Sequence, residues 1–179
     1  RGLCIAPDGA HAYVTHLVSS FELIPVQVEQ GWINSNVVSV IDTQQKQVIG
    51  TIGLDEPASG AGNPWGVACT CDGKSIVVSH SGTHELSVVA TAVLLGPLVH
   101  VVTAPAVNNI PDDPAQAPGL RRIKLPGHGP RALAVAGSKI YVAEYFSDTL
   151  AVVDPLASPD APLPTIVLGE RAPLAAARR

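Results

Sequence analysis

The sequence predicts an all-β fold built from a repeated four-stranded unit, on three observations. Apolar residues make up 46% of the chain but aromatics only 4%, and they fall in short Val, Ile, Leu and Ala runs of the kind that suits half-buried strands. Sixteen Gly and 16 Pro among 179 residues interrupt the chain too often for long helices. Gly9, Gly73 and Gly137 recur at 64-residue intervals, each within an apolar hairpin.

The elements follow copy by copy. Arg1–His16, Trp65–His80 and Arg131–Glu144 each read as strand, tight turn, strand. Asp8-Gly9, Asp72-Gly73 and Gly137-Ser138 supply the turns, because Gly takes positive φ without a steric cost. A third strand is predicted at Asn36–Asp42, Glu85–Ala90 and Thr149–Asp154, and a fourth at Lys46–Ile52, Arg121–Leu125 and Pro164–Leu168. Four antiparallel strands repeated in this way are the pattern of β-propeller blades. The expected architecture is a partial β-propeller over residues 1–170, of about three four-stranded antiparallel blades at 1–54, 63–125 and 129–170. Surplus residues are expected as insertions at Leu17–Ser35 and Thr91–Leu120, the second rich in Pro. Residues 171–179, rich in Ala and Arg, read as a linker or short helical tail opening a following domain.

Charge and cysteine usage narrow the function classes. Eleven Lys+Arg against 15 Asp+Glu give −4, with only Arg121, Arg122 and Lys124 clustered, so no nucleic-acid partner is expected. No apolar stretch approaches the roughly 18 residues of a membrane span. Cys69 and Cys71 stand two apart in a strand and cannot readily bridge, no Cys-x-x-Cys occurs, and Cys4 could pair with either. The chain opens at Arg1 without a signal-peptide pattern and reads as a fragment or processed product, with further blades expected before it.

Tyr13-Val-Thr-His16, followed by Val37–Asp42 and the tail Val48-Ile-Gly-Thr-Ile52, resembles the YVTN family of β-propeller repeats. One departure is that the Asn ending the name motif is replaced by His16, His80 and Glu144. Similar propellers are fused to a c-type cytochrome or di-haem peroxidase-like domain. The resemblance therefore implies a periplasmic or extracellular, non-catalytic scaffold and docking module of a redox protein. Its expected partners are the remaining blades, a cytochrome-like domain or an electron-transfer protein, with haem only in a following domain. The alternative is a propeller enzyme of the lactonase or quinoprotein-dehydrogenase-like kind.

Candidate site residues are those that blade geometry gathers at the channel mouth. His16, His80 and Glu144 occupy equivalent ends of strand two, and with His84 they form a candidate ligand set for a transition metal, since imidazole and carboxylate suit zinc, copper or iron. The bland reading is that they satisfy loop backbone groups. Trp32, Asn63, Trp65, His128 and Arg131 are expected to line the mouth for a ligand. Ser79-His80-Ser81 with Asp148 lacks a nucleophile elbow, so no catalytic set is assigned.

Overall fold

The computed structural model describes residues 1–19, 25, 33–55, 60–96, 120–158 and 161–169. Among the described residues, twelve strands form three four-stranded sheets. The first sheet holds β1 (Leu3–Ile5), β2 (His11–Ser19), β3 (Asn34–Asp42) and β4 (Gln47–Gly53). The second holds β5 (Pro64–Cys69), β6 (Ser75–His80), β7 (Glu85–Ala90) and β8 (Leu120–Lys124). The third holds β9 (Pro130–Ala136), β10 (Lys139–Glu144), β11 (Thr149–Val153) and β12 (Thr165–Val167). Every neighbouring pair is antiparallel and sequential, as the three predicted blades require. First strands meet at the inside of the arc, where β5 touches both β1 and β9.

The three hairpin glycines share one conformation. Gly9, Gly73 and Gly137 take φ of 71°, 69° and 59°, the left-handed region a side chain would resist. Asp8 and Asp72 brace their turns by accepting the Ala10 and Lys74 N–H groups at 2.9 and 3.1 Å.

Two departures from the expected boundaries concern the insertions. β2 and β3 stay paired out to Ser19 and Asn34, so the first insertion begins and ends on a longer ribbon than Leu17–Ser35 implied. Ser19 Oγ donates to Asn34 Oδ1 there at 2.7 Å. The second insertion opens with a single helical turn, α1 (Thr91–Leu94), whose Leu94 is buried against the core. Trp32 and the 171–179 tail lie outside the described residues.

Among the described residues, alternation along the strands makes two cores, one on each side of blade 2. Tyr13, Val38 and Val40 of blade 1 pack against Val67, Ile76 and Val78 of blade 2. Val77, Leu86 and Val88, on the other face of blade 2, pack against Ile140, Val142 and Ala151 of blade 3. Cys4 and Cys69 are free thiols partly buried at the first core, and burial pushes Cys4 up to about 12, so neither is a poised nucleophile.

A repeated polar latch joins the blades. Thr15 Oγ1 accepts the Gly2 N–H at 3.0 Å and donates to the Trp65 carbonyl of blade 2 at 3.1 Å. Sixty-four positions on, Ser79 Oγ accepts the Gly66 N–H and donates to the Arg131 carbonyl of blade 3, both at 2.8 Å. Glycine is required because a Cβ on Gly2 or Gly66 would overlap the Trp65 or Arg131 carbonyl oxygen. Register irregularities between Pro64 and Val67 and opposite Val142–Glu144 place Trp65 and Arg131 in bulges, which free their carbonyls from the sheet ladder.

Candidate functional site

The inner ends of β5 and β9 are built from matching segments, Asn63-Pro64-Trp65-Gly66 and Gly129-Pro130-Arg131-Ala132. Asn63 and Gly129 both have positive φ, 63° and 65°, and each precedes the proline that starts its strand. Asn63 Nδ2 donates to Ser81 Oγ at 2.9 Å, which fixes the first segment to the end of β6. The 127–131 segment is tied to the turn after β10, because Tyr145 and Phe146 donate their N–H groups to the Gly129 and His128 carbonyls at 3.1 Å. His128 donates its own N–H to Ser147 Oγ at 2.8 Å.

These ties gather a guanidinium and three aromatic rings. Arg131 Cζ lies 4.0 Å from the Tyr145 ring centroid, 4.7 Å from Trp65 and 5.6 Å from Phe146. Arg1 approaches Trp65 at 5.9 Å. Arg131 Nε is enclosed without an acceptor, and no described carboxylate pairs with this guanidinium. The rings stay largely accessible, with Trp65 38%, Tyr145 59% and Phe146 67% exposed. Phe146 lies over Gly129, in the space a side chain there would fill. Cation–π stacking occupies the faces of the guanidinium and leaves its in-plane N–H edge for an incoming acceptor.

Beside this cluster, His84 and His128 stack with ring centroids 4.5 Å apart. His84 Nδ1 accepts the Gly129 N–H at 3.0 Å, so the neutral ring carries its proton on Nε2. His84 has φ 60°, a conformation held in the tight turn between β6 and β7.

His16, His80 and Glu144 are equivalent, but they belong to blade faces rather than one central point. Their neighbours Thr15 and Ser79 reach toward the following blade, so strand alternation turns His16 and His80 toward the preceding side. His80 is fully buried between blades 1 and 2, and Glu144 between blades 2 and 3. The sheet of blade 2 therefore separates them. Each reaches a hydroxyl on strand three of its own blade. His16 Nε2 pairs with Ser39 Oγ and His80 Nε2 with Ser87 Oγ, both at 2.8 Å. Glu144 Oε2 accepts from Thr149 Oγ1 at 2.5 Å and Oε1 from the Gly127 N–H at 2.7 Å. Burial first, and then the Arg122 guanidinium, push His80 down to about 3, so its ring is neutral. Among the described residues no group of three or more His, Cys, Asp and Glu side chains is placed to hold a metal ion.

Of the expected channel-mouth residues, the structure brings Trp65 and Arg131 into contact and sets Asn63 and His128 on the adjoining segments. Tyr145 and Phe146 were missed by sequence reasoning. Two adjacent aromatics in a chain with 4% aromatic content, directly after strand two, were the signal that was present.

Hydrazine synthase subunit beta of Kuenenia stuttgartiensis is 28% identical over 156 residues, covering 86% of this chain and 40% of that protein. The solved structure of Kuenenia stuttgartiensis hydrazine synthase superposes with a TM-score of 0.71 at 27% identity, covering 88% of this chain and 46% of that one. A periplasmic gluconolactonase of Pseudomonas aeruginosa superposes at 0.50 and 17% identity over 94% of this chain and 40% of that one, a likeness of fold alone. No family model matches the chain, so the YVTN resemblance rests on its motif residues. The chain spans less than half the length of these relatives, and what it shares with them is a partial β-propeller, with sequence similarity to hydrazine synthase subunit beta.

Proposed function

We propose that this chain is a non-catalytic propeller scaffold and docking module of a periplasmic or cell-surface redox assembly, in which a separate haem-bearing subunit or domain carries the electron chemistry. The observation that carries the reading is the similarity, along 86% of the chain, to a protein named as a subunit of hydrazine synthase. The docking element would be the accessible Trp65, Arg131, Tyr145 and Phe146 cluster. Tyr, Trp and Arg dominate the energetics of interfaces because they combine large contact area with a polar edge. Here the guanidinium is already oriented by three rings, so little side-chain entropy remains to be lost on binding.

The test is isolation of the full-length polypeptide from its source under native conditions, followed by mass measurement and a visible spectrum. The expected result is a hetero-assembly with haem absorbance. Arg131→Glu, introduced into that polypeptide, should weaken the assembly by at least about tenfold, as befits loss of an interface anchor, while loss of its stacking on the three rings costs the fold itself only about 1–2 kcal/mol. A haem-free species of one polypeptide would overturn the reading.

A further inference from the structure

Two arginines of blade 2 show what a guanidinium held within this fold is given by the protein. Arg121 donates from Nη1 and Nη2 to the Ala157 and Pro155 carbonyls. Arg122 donates from Nη1 to the Glu85 carboxylate at 2.8 Å and from Nη2 to the Leu54 carbonyl at 2.7 Å. Arg131 differs. Its faces are covered by Tyr145, Trp65 and Phe146, yet its side chain meets no hydrogen-bond acceptor and no carboxylate among the described residues. Its Nε is enclosed, so the Nη edge is what remains for a partner.

A second guanidinium stands in the same row. Arg1, Trp65 and Arg131 directly precede Gly2, Gly66 and Ala132, so they hold one position of strand one in three successive blades. First strands meet at the inside of the arc. The Trp65 ring is approached by Arg1 from the blade before and by Arg131 from the blade after, at 5.9 and 4.7 Å from its centroid. Arg1 likewise has no carboxylate among the described residues. The chain as a whole carries −4, so this row concentrates positive charge on an otherwise acidic molecule.

We propose that the row of Arg1, Trp65 and Arg131 receives an acidic, extended segment of a partner protein, one carboxylate meeting the Nη edge of Arg131 and a second meeting Arg1, with the segment between them lying over Trp65. The inference rests on the docking reading above and specifies what the partner presents there. Guanidinium and carboxylate match as a planar, charge-assisted pair, and stacking on the rings holds the Arg131 fork ready for it. Exposure decides between a chain segment and a small acid. Trp65, Tyr145 and Phe146 are 38%, 59% and 67% exposed, an open surface on which a small carboxylic acid would touch one guanidinium and leave the rings in water, whereas a peptide covers both. The negative charge of the rest of the chain repels such a segment elsewhere and so steers it to this row.

The test uses an N-acetylated, C-amidated hexaglutamate peptide, titrated calorimetrically into the full-length polypeptide at low ionic strength, where exposed charges are least screened. Hexaglutamine and glutarate are the controls. Hexaglutamate should bind saturably and at least about tenfold more tightly than either control. Arg131→Gln and Arg1→Gln should each weaken it at least about fivefold. Arg1→Gln keeps the test clear of folding effects, because Arg131 and its three rings are left in place. Glutarate binding as tightly as the peptide would make this a small-acid site, and hexaglutamine binding as tightly would make it an aromatic surface without charge recognition. Either result overturns the inference, as does an absence of hexaglutamate binding or an affinity unchanged by either substitution. None of these measurements involves haem. A haem-bearing assembly whose full-length chain ignores hexaglutamate would refute the acidic segment and leave the scaffold reading standing, and hexaglutamate binding by a haem-free single polypeptide would do the reverse.

Discussion

The interface between blades 1 and 2 and that between blades 2 and 3 use one latch but bury different chemistry at the same position. The first encloses His80, whose Nε2 meets Ser87 while Nδ1 makes no hydrogen bond of good geometry, the nearby Ala61 backbone only partly opposing the fall in its pKa. The second encloses Glu144, with each carboxylate oxygen served by a donor. The repeat therefore specifies reach toward strand three rather than a charge. A neutral imidazole fits beside the Arg122 guanidinium, whereas a carboxylate fits where a loop N–H and a hydroxyl converge.

The largest expected effect comes from the close approach common to both interfaces. Gly66→Ala should destabilise the chain by about 3 kcal/mol or more, because the new Cβ meets the Arg131 backbone, which cannot rotate aside. Gly9→Ala is the matched comparison, since nothing lies within 4 Å of its Cβ and only the φ of 71° resists. It should cost about 1 kcal/mol, in line with the left-handed penalty for a residue with a Cβ. Urea titration of both variants checks the difference. Equal losses would mean that the two blades part easily at Gly66.

Removing the carboxylate comes next. Glu144→Ala leaves the Gly127 N–H and the Thr149 hydroxyl buried without their acceptor, at a cost of about 2–3 kcal/mol. Glu144→Gln keeps one acceptor oxygen and should recover part of that loss in the same titration. Recovery by Glu144→Leu instead would show that the site prefers apolar filling.

Acid separates the two interfaces in a further way. Above pH 6.5 the His80 ring is neutral both folded and unfolded, and it adds no pH dependence. Below that, the unfolded chain binds the proton while the folded site, pushed down to about 3, refuses it. Stability should thus fall at about 1.4 kcal/mol per pH unit as the pH drops through this window, or roughly 2 kcal/mol between pH 6.5 and 5. His80→Gln should flatten that part of the profile, measured by denaturant unfolding at successive pH values. An unchanged slope would assign the acid sensitivity to other groups.

The blades were legible because their determinants are local. Gly9, Gly73 and Gly137 mark turns by a backbone requirement that shows directly in the residue type, and period-two apolar runs mark the strands. The latch was not legible in the same way. Gly66, Ser79 and the Arg131 carbonyl meet only after two sheets pack, and one of the three partners is a backbone atom. Equivalence of His16, His80 and Glu144 was visible in their spacing, but spacing does not say which face of a strand a side chain takes. Their neighbours Thr15 and Ser79, pointing the other way, decide that.

The smallest expected effect tests the latch itself. Ser79→Ala removes one donor to the Arg131 carbonyl and one acceptor for the Gly66 N–H, in a seam that also contains the apolar contacts of Val77 and Leu86. Those contacts remain, so the loss should be about 1 kcal/mol, the net worth of an ordinary hydrogen bond, rising toward 2 if both orphaned groups stay dry. Ser79→Thr is the informative partner, because blade 1 already uses Thr15 in this role with bonds of 3.0 and 3.1 Å. It should restore most of the stability lost by the alanine variant, as measured by urea titration. If threonine destabilises as much as alanine, the two latches are not interchangeable, and the seam between blades 2 and 3 is more tightly packed around residue 79 than the seam between blades 1 and 2 is around residue 15.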